Sequence, residues 1–283
     1  MAKKPVVVTA LAKKGGPGKT TVIQGLASAA AKKGLSAWVA DFDPQCNLTN
    51  LLAGPEYKEL LAKRKRKEIP RPPTLFDVLS EESPSAADLR MALYSADPRW
   101  PGISLLPASA QLDLVEHYQQ DVETAQRFRV AVDDLRANSS AEDLPDLLLC
   151  DTRPAFNLLT IMAVAGADVE LAIGHPERFA LEGLREAWAT LASLIEADSV
   201  PNLDAAFVVT SKIDRRKAEH RARVMEIESK YASVLMTPEL PDRTVVVQAI
   251  SAGEPLHFYP DSRAPEPADV LTEWLDKIMK VSA

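Results

Sequence analysis

Apolar positions fall into short continuous runs that alternate with longer amphipathic stretches. Val6–Leu11 is an unbroken apolar and β-branched run ending at a Gly-rich segment, which suits a strand buried on both faces. The period then changes. Over Thr20–Lys33, Val22, Ile23, Leu26, Ala27 and Ala30 share one helical face, and Gly34 supplies the stop. Further strands are expected at Ser36–Phe42, Ile103–Leu106, Asp146–Cys150, Val169–Ile173 and Ala205–Thr210. Helical periods lie between them, notably Phe179–Ala197, Lys217–Tyr231 and Ala268–Val281. This alternation predicts an α/β fold: a doubly wound, mostly parallel sheet with helices on both faces. Ligands of such sheets sit beyond the carboxyl ends of the strands. Chemistry is therefore expected just after Leu11, Phe42, Cys150 and Thr210.

Composition narrows the classes. The 283 residues carry 33 Lys+Arg against 40 Asp+Glu, a net charge of −7, so a uniformly basic nucleic-acid surface is excluded. The length fits one domain over residues 1–283. The two cysteines, Cys46 and Cys150, lack metal-site spacing and fit a reducing cytoplasm. No run approaches the ~18 apolar residues of a membrane span, and no signal-peptide pattern opens the chain. One segment breaks the alternation: Lys63-Arg64-Lys65-Arg66-Lys67, followed by Pro70, Pro72 and Pro73. It reads as a helix end and a surface excursion. A solvated face is favoured there over a phosphate-binding role.

The strongest motif is Lys14-Gly15-Gly16-Pro17-Gly18-Lys19-Thr20-Thr21, set between a strand and a helix. Its glycines let the backbone turn tightly and aim N–H groups at one point, where the helix N-terminus adds its positive end. Lys19 offers a cation to β- and γ-phosphates, and Thr20 a hydroxyl to Mg²⁺. An ordinary phosphate loop has Gly five positions before Gly18; this chain has Lys13 there and an added lysine, Lys14.

With that lysine the loop resembles the deviant Walker A ATPases, the ParA/MinD family, whose signature is Lys-Gly-Gly-x-Gly-Lys-Ser/Thr. The resemblance implies a P-loop ATPase using ATP and Mg²⁺, in which Lys14 reaches the partner's phosphates across a nucleotide-sandwich homodimer. Pro17 stands where valine is usual and removes one N–H donor.

Two acidic motifs extend the likeness. Asp41-Phe42-Asp43-Pro44-Gln45 resembles the family's Asp-x-Asp-Pro-Gln. By that resemblance Asp43 positions or activates the attacking water and Asp41 helps order the Mg²⁺ shell. Leu147-Leu148-Leu149-Cys150-Asp151 is similar to a Walker B strand, with Asp151 near the metal. The family continues Asp-x-Pro-Pro; here Arg153 replaces the first proline. Arg153 is open to three readings: a cis stabiliser, a dimer contact or a surface ion pair.

Ser211-Lys212-Ile213-Asp214 resembles the guanine-reading motif of related GTPases, so Asp214 is a candidate base contact. Leu240-Pro241 and Ala249 resemble the family's adenine-packing stretch, which favours ATP and leaves GTP as the alternative.

Three uses of this fold compete. A DNA-positioning ATPase needs a basic patch, and Lys212–Lys230 supplies Arg215, Arg216, Lys217 and Arg221; Arg216 aligns with a DNA-contacting arginine of ParA relatives. Pairs such as Glu219–Arg223 account for part of that run. A MinD-like membrane cycle needs a basic amphipathic C-terminal helix. Val270–Lys280 mixes Glu273 and Asp276 into its polar face, so core docking is expected. Cluster bridging would need exposed cysteines, and Cys150 is expected in a buried strand. The resemblance therefore implies a ParA-type partitioning ATPase, with a ParA-like positioning ATPase for a protein cargo, or the MinD-like membrane cycle, as the alternative. It would bind nonspecific DNA, respond to a ParB-like centromere-binding partner, and sit on the nucleoid without stable membrane association. The chain starts almost at the phosphate loop, so no operator-reading extension is expected.

Overall fold

A computed structural model describes residues 4–13, 16, 18–176, 178–196, 200 and 203–282. Eight strands form one sheet: β1 (Val6–Leu11), β2 (Ala37–Asp41), β3 (Tyr94–Ser95), β4 (Ile103–Leu106), β5 (Leu147–Asp151), β6 (Val169–Gly174), β7 (Ala205–Thr210) and β8 (Leu235–Met236). Their order is β3-β4-β2-β5-β1-β6-β7-β8. Every pairing is parallel except β3 with β4. The six expected strands are present within a residue or two. The edge strands β3 and β8 are two residues each, too short to leave a periodic signal in sequence. The helix Thr244–Ala252 was also illegible, because Val245-Val246-Val247 reads as a strand run.

The central strands β1 and β5 are buried along their whole length, as two covered faces require. Helices Lys19–Lys33, Thr244–Ala252 and Pro265–Val281 cover one face, with Ile23, Leu26, Trp274 and Ile278 in a continuous apolar layer. Leu75–Ser80, Arg127–Asn138 and Leu158–Ala165 cover the other, around Phe128, Leu135 and Met162. In register, Asp41 lies beside Asp151 and Ala10 lies beside Asp151. The carboxyl ends of β1, β2 and β5 thus meet at one edge, where chemistry was expected.

The C-terminal helix docks on the core. It buries Leu271, Trp274, Leu275 and Ile278, and Trp274 Nε1 donates to the Pro238 carbonyl at 2.8 Å. Gly25 makes room for it: a Cβ there would lie 2.6 Å from Leu271 Cδ1. Among the described residues, no helix is long and apolar enough to cross a membrane.

The basic run closes the helix Pro55–Lys65, and residues 66–73 form the surface excursion. That helix is anchored by Tyr57 against Tyr94, ring centroids 4.7 Å apart. It starts at Gly54, where a Cβ would sit 2.5 Å from the Ser95 carbonyl oxygen of β3. Backbone cannot yield as a side-chain tip can. Gly54→Ala is expected to destabilise the fold by about 1–3 kcal/mol in urea unfolding, the usual cost of overpacking. An unchanged midpoint would contradict this close approach.

Candidate nucleotide site

The loop after β1 turns through Gly16 and Gly18, at φ +93° and +99°, where side chains are strained. Gly18 caps the 15-residue helix that begins at Lys19, so the helix's positive end faces the loop. Lys14, Gly15 and Pro17 lie outside the described residues, and with them the expected reach of Lys14. Lys19, Thr20, Thr21, Asp43 and Thr152 line one polar cavity of about 290 Å³ with Gly16 and Gly18.

From that lining, Thr20 Oγ1 donates to Asp151 Oδ2 at 2.6 Å. Asp151 is buried, and its Oδ1 has no hydrogen-bond partner. Burial raises its pKa, and neighbouring Asp41 raises it further. Lys19 is buried as well. Desolvation lowers its pKa, while Asp151 and Asp43 act the other way. Three carboxylates thus converge where one ammonium is near. An unpartnered carboxyl oxygen beside a threonine hydroxyl fits a hard divalent cation such as Mg²⁺, which takes oxygen donors. The residues present fit that ion.

Asp41 is placed differently from the expectation of a metal-shell residue. Its Oδ2 accepts from Thr49 N and Oγ1, both at 2.8 Å, and its Oδ1 accepts from Asp43 N at 3.1 Å. The carboxylate is fully buried, and desolvation pushes its pKa up to about 6. Its hydrogen bonds hold the loop that carries Asp43. Asp43 is half-exposed, and its Oδ1 accepts from Gln45 N at 3.0 Å. Thr49, which was not singled out in sequence, also accepts the Ala108 N–H, so it ties that loop to β4's exit. Its only sequence signal is its place on the first helix after Asp-x-Asp-Pro-Gln.

A second, smaller hollow of about 40 Å³ adjoins the loop, lined by Gly18, Thr21, Ser211, Lys212, Pro241, Arg243 and Val246. Lys212 reaches back, and its Nζ donates to the Gly16 carbonyl at 2.6 Å. Pro241 lines this hollow. Ala249 is buried in the core instead of facing this hollow. Asp214 does not line it. Arg216 Nε and Nη2 grip both Asp214 oxygens at 2.9 Å, which holds the carboxyl well below its ordinary pKa. Asp214 instead borders an open cleft of about 740 Å³ with Arg215, Glu239 and Glu266.

Arg215, Arg216, Lys217 and Arg221 are all exposed on one edge. Their charge is less free than the count suggested. Arg215 pairs with Glu239 and Arg216 with Asp214, while Arg221 donates to the Arg215 and Arg216 carbonyls. The expected Glu219–Arg223 pair is not the one formed. Arg223 and Lys230 both go to Glu226, each at 3.0 Å. Such exposed pairs are worth only about 0–1 kcal/mol, so phosphates can displace them. Arg153 makes a surface ion pair with Asp113 at 3.1 Å. Cys150 is buried, and no group of three or more His, Cys, Asp or Glu side chains placed to hold a metal is found among the described residues.

Comparison with known proteins agrees with this geometry. Residues 6–205 match a family model described as an AAA domain. The chromosome partitioning protein ParA of Caulobacter vibrioides is 30% identical over 261 residues, covering 92% of this chain and 89% of the relative. An ATP complex of a McdA variant from Cyanothece superposes with a TM-score of 0.76 at 17% identity, over 98% of this chain and 97% of that one. Cobyrinic acid a,c-diamide synthase from Mycobacterium smegmatis, with ADP and magnesium, gives 0.71 at 20% identity over 98% and 94%. The two structures share the fold. The sequence matches and the phosphate-loop architecture place this chain in the ParA/MinD family of P-loop ATPases.

Proposed function

We propose that this chain is a ParA-type partitioning ATPase, one ATPase domain spanning residues 1–283. It binds ATP with Mg²⁺, pairs as a nucleotide-sandwich homodimer, and binds nonspecific DNA in that state. Hydrolysis is slow until a ParB-like centromere-binding partner stimulates it, moving chromosome or plasmid DNA. The protein works on the nucleoid in the cytoplasm without stable membrane association. The observation that carries the reading is the Thr20 hydroxyl, which lines one cavity with Lys19 and donates to buried Asp151, whose Oδ1 has no hydrogen-bond partner.

The roles follow from chemistry. Gly15, Gly16, Gly18 and Thr21 wrap the phosphates with backbone N–H groups, and Lys19 neutralises the β- and γ-phosphates. Thr20 and Asp151 hold Mg²⁺, which supplies charge stabilisation for phosphoryl transfer. Asp43 orients the attacking water, and Asp41 acts through it by fixing the loop. Lys14 serves the partner's active site. ATP is favoured over GTP because Arg216 occupies the carboxylate of Asp214 that guanine would need. The apolar face of the C-terminal helix is spent on the core, which supports a cycle without lipid. The fold shared with an ADP- and magnesium-bound structure supports the nucleotide assignment.

Three outcomes are expected. Lys19→Ala loses ATP affinity by on the order of 100-fold in calorimetry, the scale of a buried charge-assisted contact; tight ATP retention would refute the loop assignment. Asp43→Ala gives a stable dimer with MgATP in light scattering, with turnover lost, whereas a monomer would contradict its water-orienting role. The third concerns stability. The folded protein holds the Asp151 proton more tightly than the unfolded chain, so metal-free stability falls as pH rises above the unfolded carboxyl range near ~4. Asp151→Asn removes that loss. Its melting temperature is expected to exceed wild type at pH 7–8, with the gap closing toward pH ~4, while MgATP no longer stabilises it. Parallel pH profiles would overturn the assignment of Asp151 as the strained acid.

A further inference from the structure

The basic run Lys63–Lys67 remains outside the machinery described above. We infer that the C-terminal turn of the helix Pro55–Lys65 is a second contact surface for the DNA phosphate backbone, at the sheet edge opposite Lys212–Lys230. The inference rests on the reading that the ATP-bound dimer binds DNA.

Three observations carry it. First, the turn keeps free charge. Lys58, Lys63 and Arg66 pair with Asp97, Glu59 and Glu68, but Arg64, Lys65 and Lys67 are exposed and make no ion pair among the described residues. On the opposite edge, Arg215, Arg216, Arg223 and Lys230 are all paired. Lys212, Lys217 and Arg221 make no ion pair among the described residues, so both edges keep unpaired cations.

Second, Lys67 occupies a left-handed conformation, φ +61°, just past the helix end. The Lys67 N–H bonds the Arg64 carbonyl and the Glu68 N–H bonds the Lys63 carbonyl, the closing pattern that glycine fills at least cost. Cations within a helix's last turn offset its negative end, which accounts for Lys63, Arg64 and Lys65. It does not account for lysine in place of glycine at position 67. A charge kept in a strained position indicates a use for that charge.

Third, the turn is mounted rigidly and is polar throughout. The close approach of Gly54 to β3 and the Tyr57–Tyr94 contact fix the helix to the sheet edge. No exposed large apolar side chain lies between residues 51 and 75. An anionic membrane would be gripped by such a side chain beside the cations, whereas a duplex backbone needs charge alone. β3 and β8 are the two edges of an eight-stranded sheet, on the order of 30 Å apart at ~4.8 Å per strand. The two patches are thus separate footprints whose phosphate contacts add.

The test uses the full chain with MgATP and random-sequence duplex DNA, across a salt series. The variant Arg64→Gln/Lys65→Gln/Lys67→Gly removes the charge and relieves the backbone at position 67. Its melting temperature should equal or exceed wild type, and its basal ATPase should be unchanged. DNA affinity should fall on the order of 10-fold at 100 mM salt. The slope of log affinity against log salt should become shallower by about 2 to 3, near 0.9 per lost phosphate contact. Combined with Arg216→Glu, the losses should add. An unchanged slope in a variant whose parent binds DNA overturns the second surface and leaves the DNA reading standing. A parent that does not bind DNA overturns both. Intact DNA binding with lost binding to phosphatidylserine vesicles assigns the turn to membrane and overturns the inference.

Discussion

The site depends on anions held where water cannot reach them. Asp41 and Asp151 end adjacent strands in register, both fully buried, with Asp43 two residues beyond. Buried like charges are costly unless a cation lies among them. Lys19 supplies one, and its own burial lowers its proton affinity. Thr49 and the Asp43 backbone satisfy Asp41, and Thr20 satisfies one oxygen of Asp151. The other Asp151 oxygen has no hydrogen-bond partner. A divalent cation beside these carboxylates would offset their buried negative charge.

Much of this was legible in the sequence because its cause is local. A strand, a Gly-rich turn and a helix are each written in a few neighbouring residues. The strand Val6–Leu11 and the helix Lys19–Lys33 stand where the pattern put them. Asp43 and Asp151 were legible because a carboxylate at the end of an apolar run has little structural purpose. What stayed hidden depends on contacts distant in sequence. Thr49 matters only because it folds back on Asp41, and Lys212 only because it spans to Gly16. Asp214 looked like a base reader until Arg216, two residues on, was seen to hold it. Edge strands of two residues and a Val-rich helix failed for the opposite reason: their local signal is weak or points the wrong way.

Charge shows the same division. Counting residues finds basic runs at Lys63–Lys67 and Lys212–Lys230 in an acidic chain. It cannot tell which cations are already paired. Glu226 alone gathers Arg185, Arg223 and Lys230, while Arg64, Lys65 and Lys67 make no ion pair among the described residues.

The central claim is that the buried acids and the phosphate loop form one site needing both metal and nucleotide. The direct measurement is thermal stability with ATP across a Mg²⁺ titration, beside Mg²⁺ alone and ATP alone. Saturating MgATP is expected to raise the melting temperature by roughly 5 °C or more, the shift for about 2–3 kcal/mol of linkage at this size. Either component alone should give a small fraction of that. Equal stabilisation by ATP with and without Mg²⁺ would contradict the account.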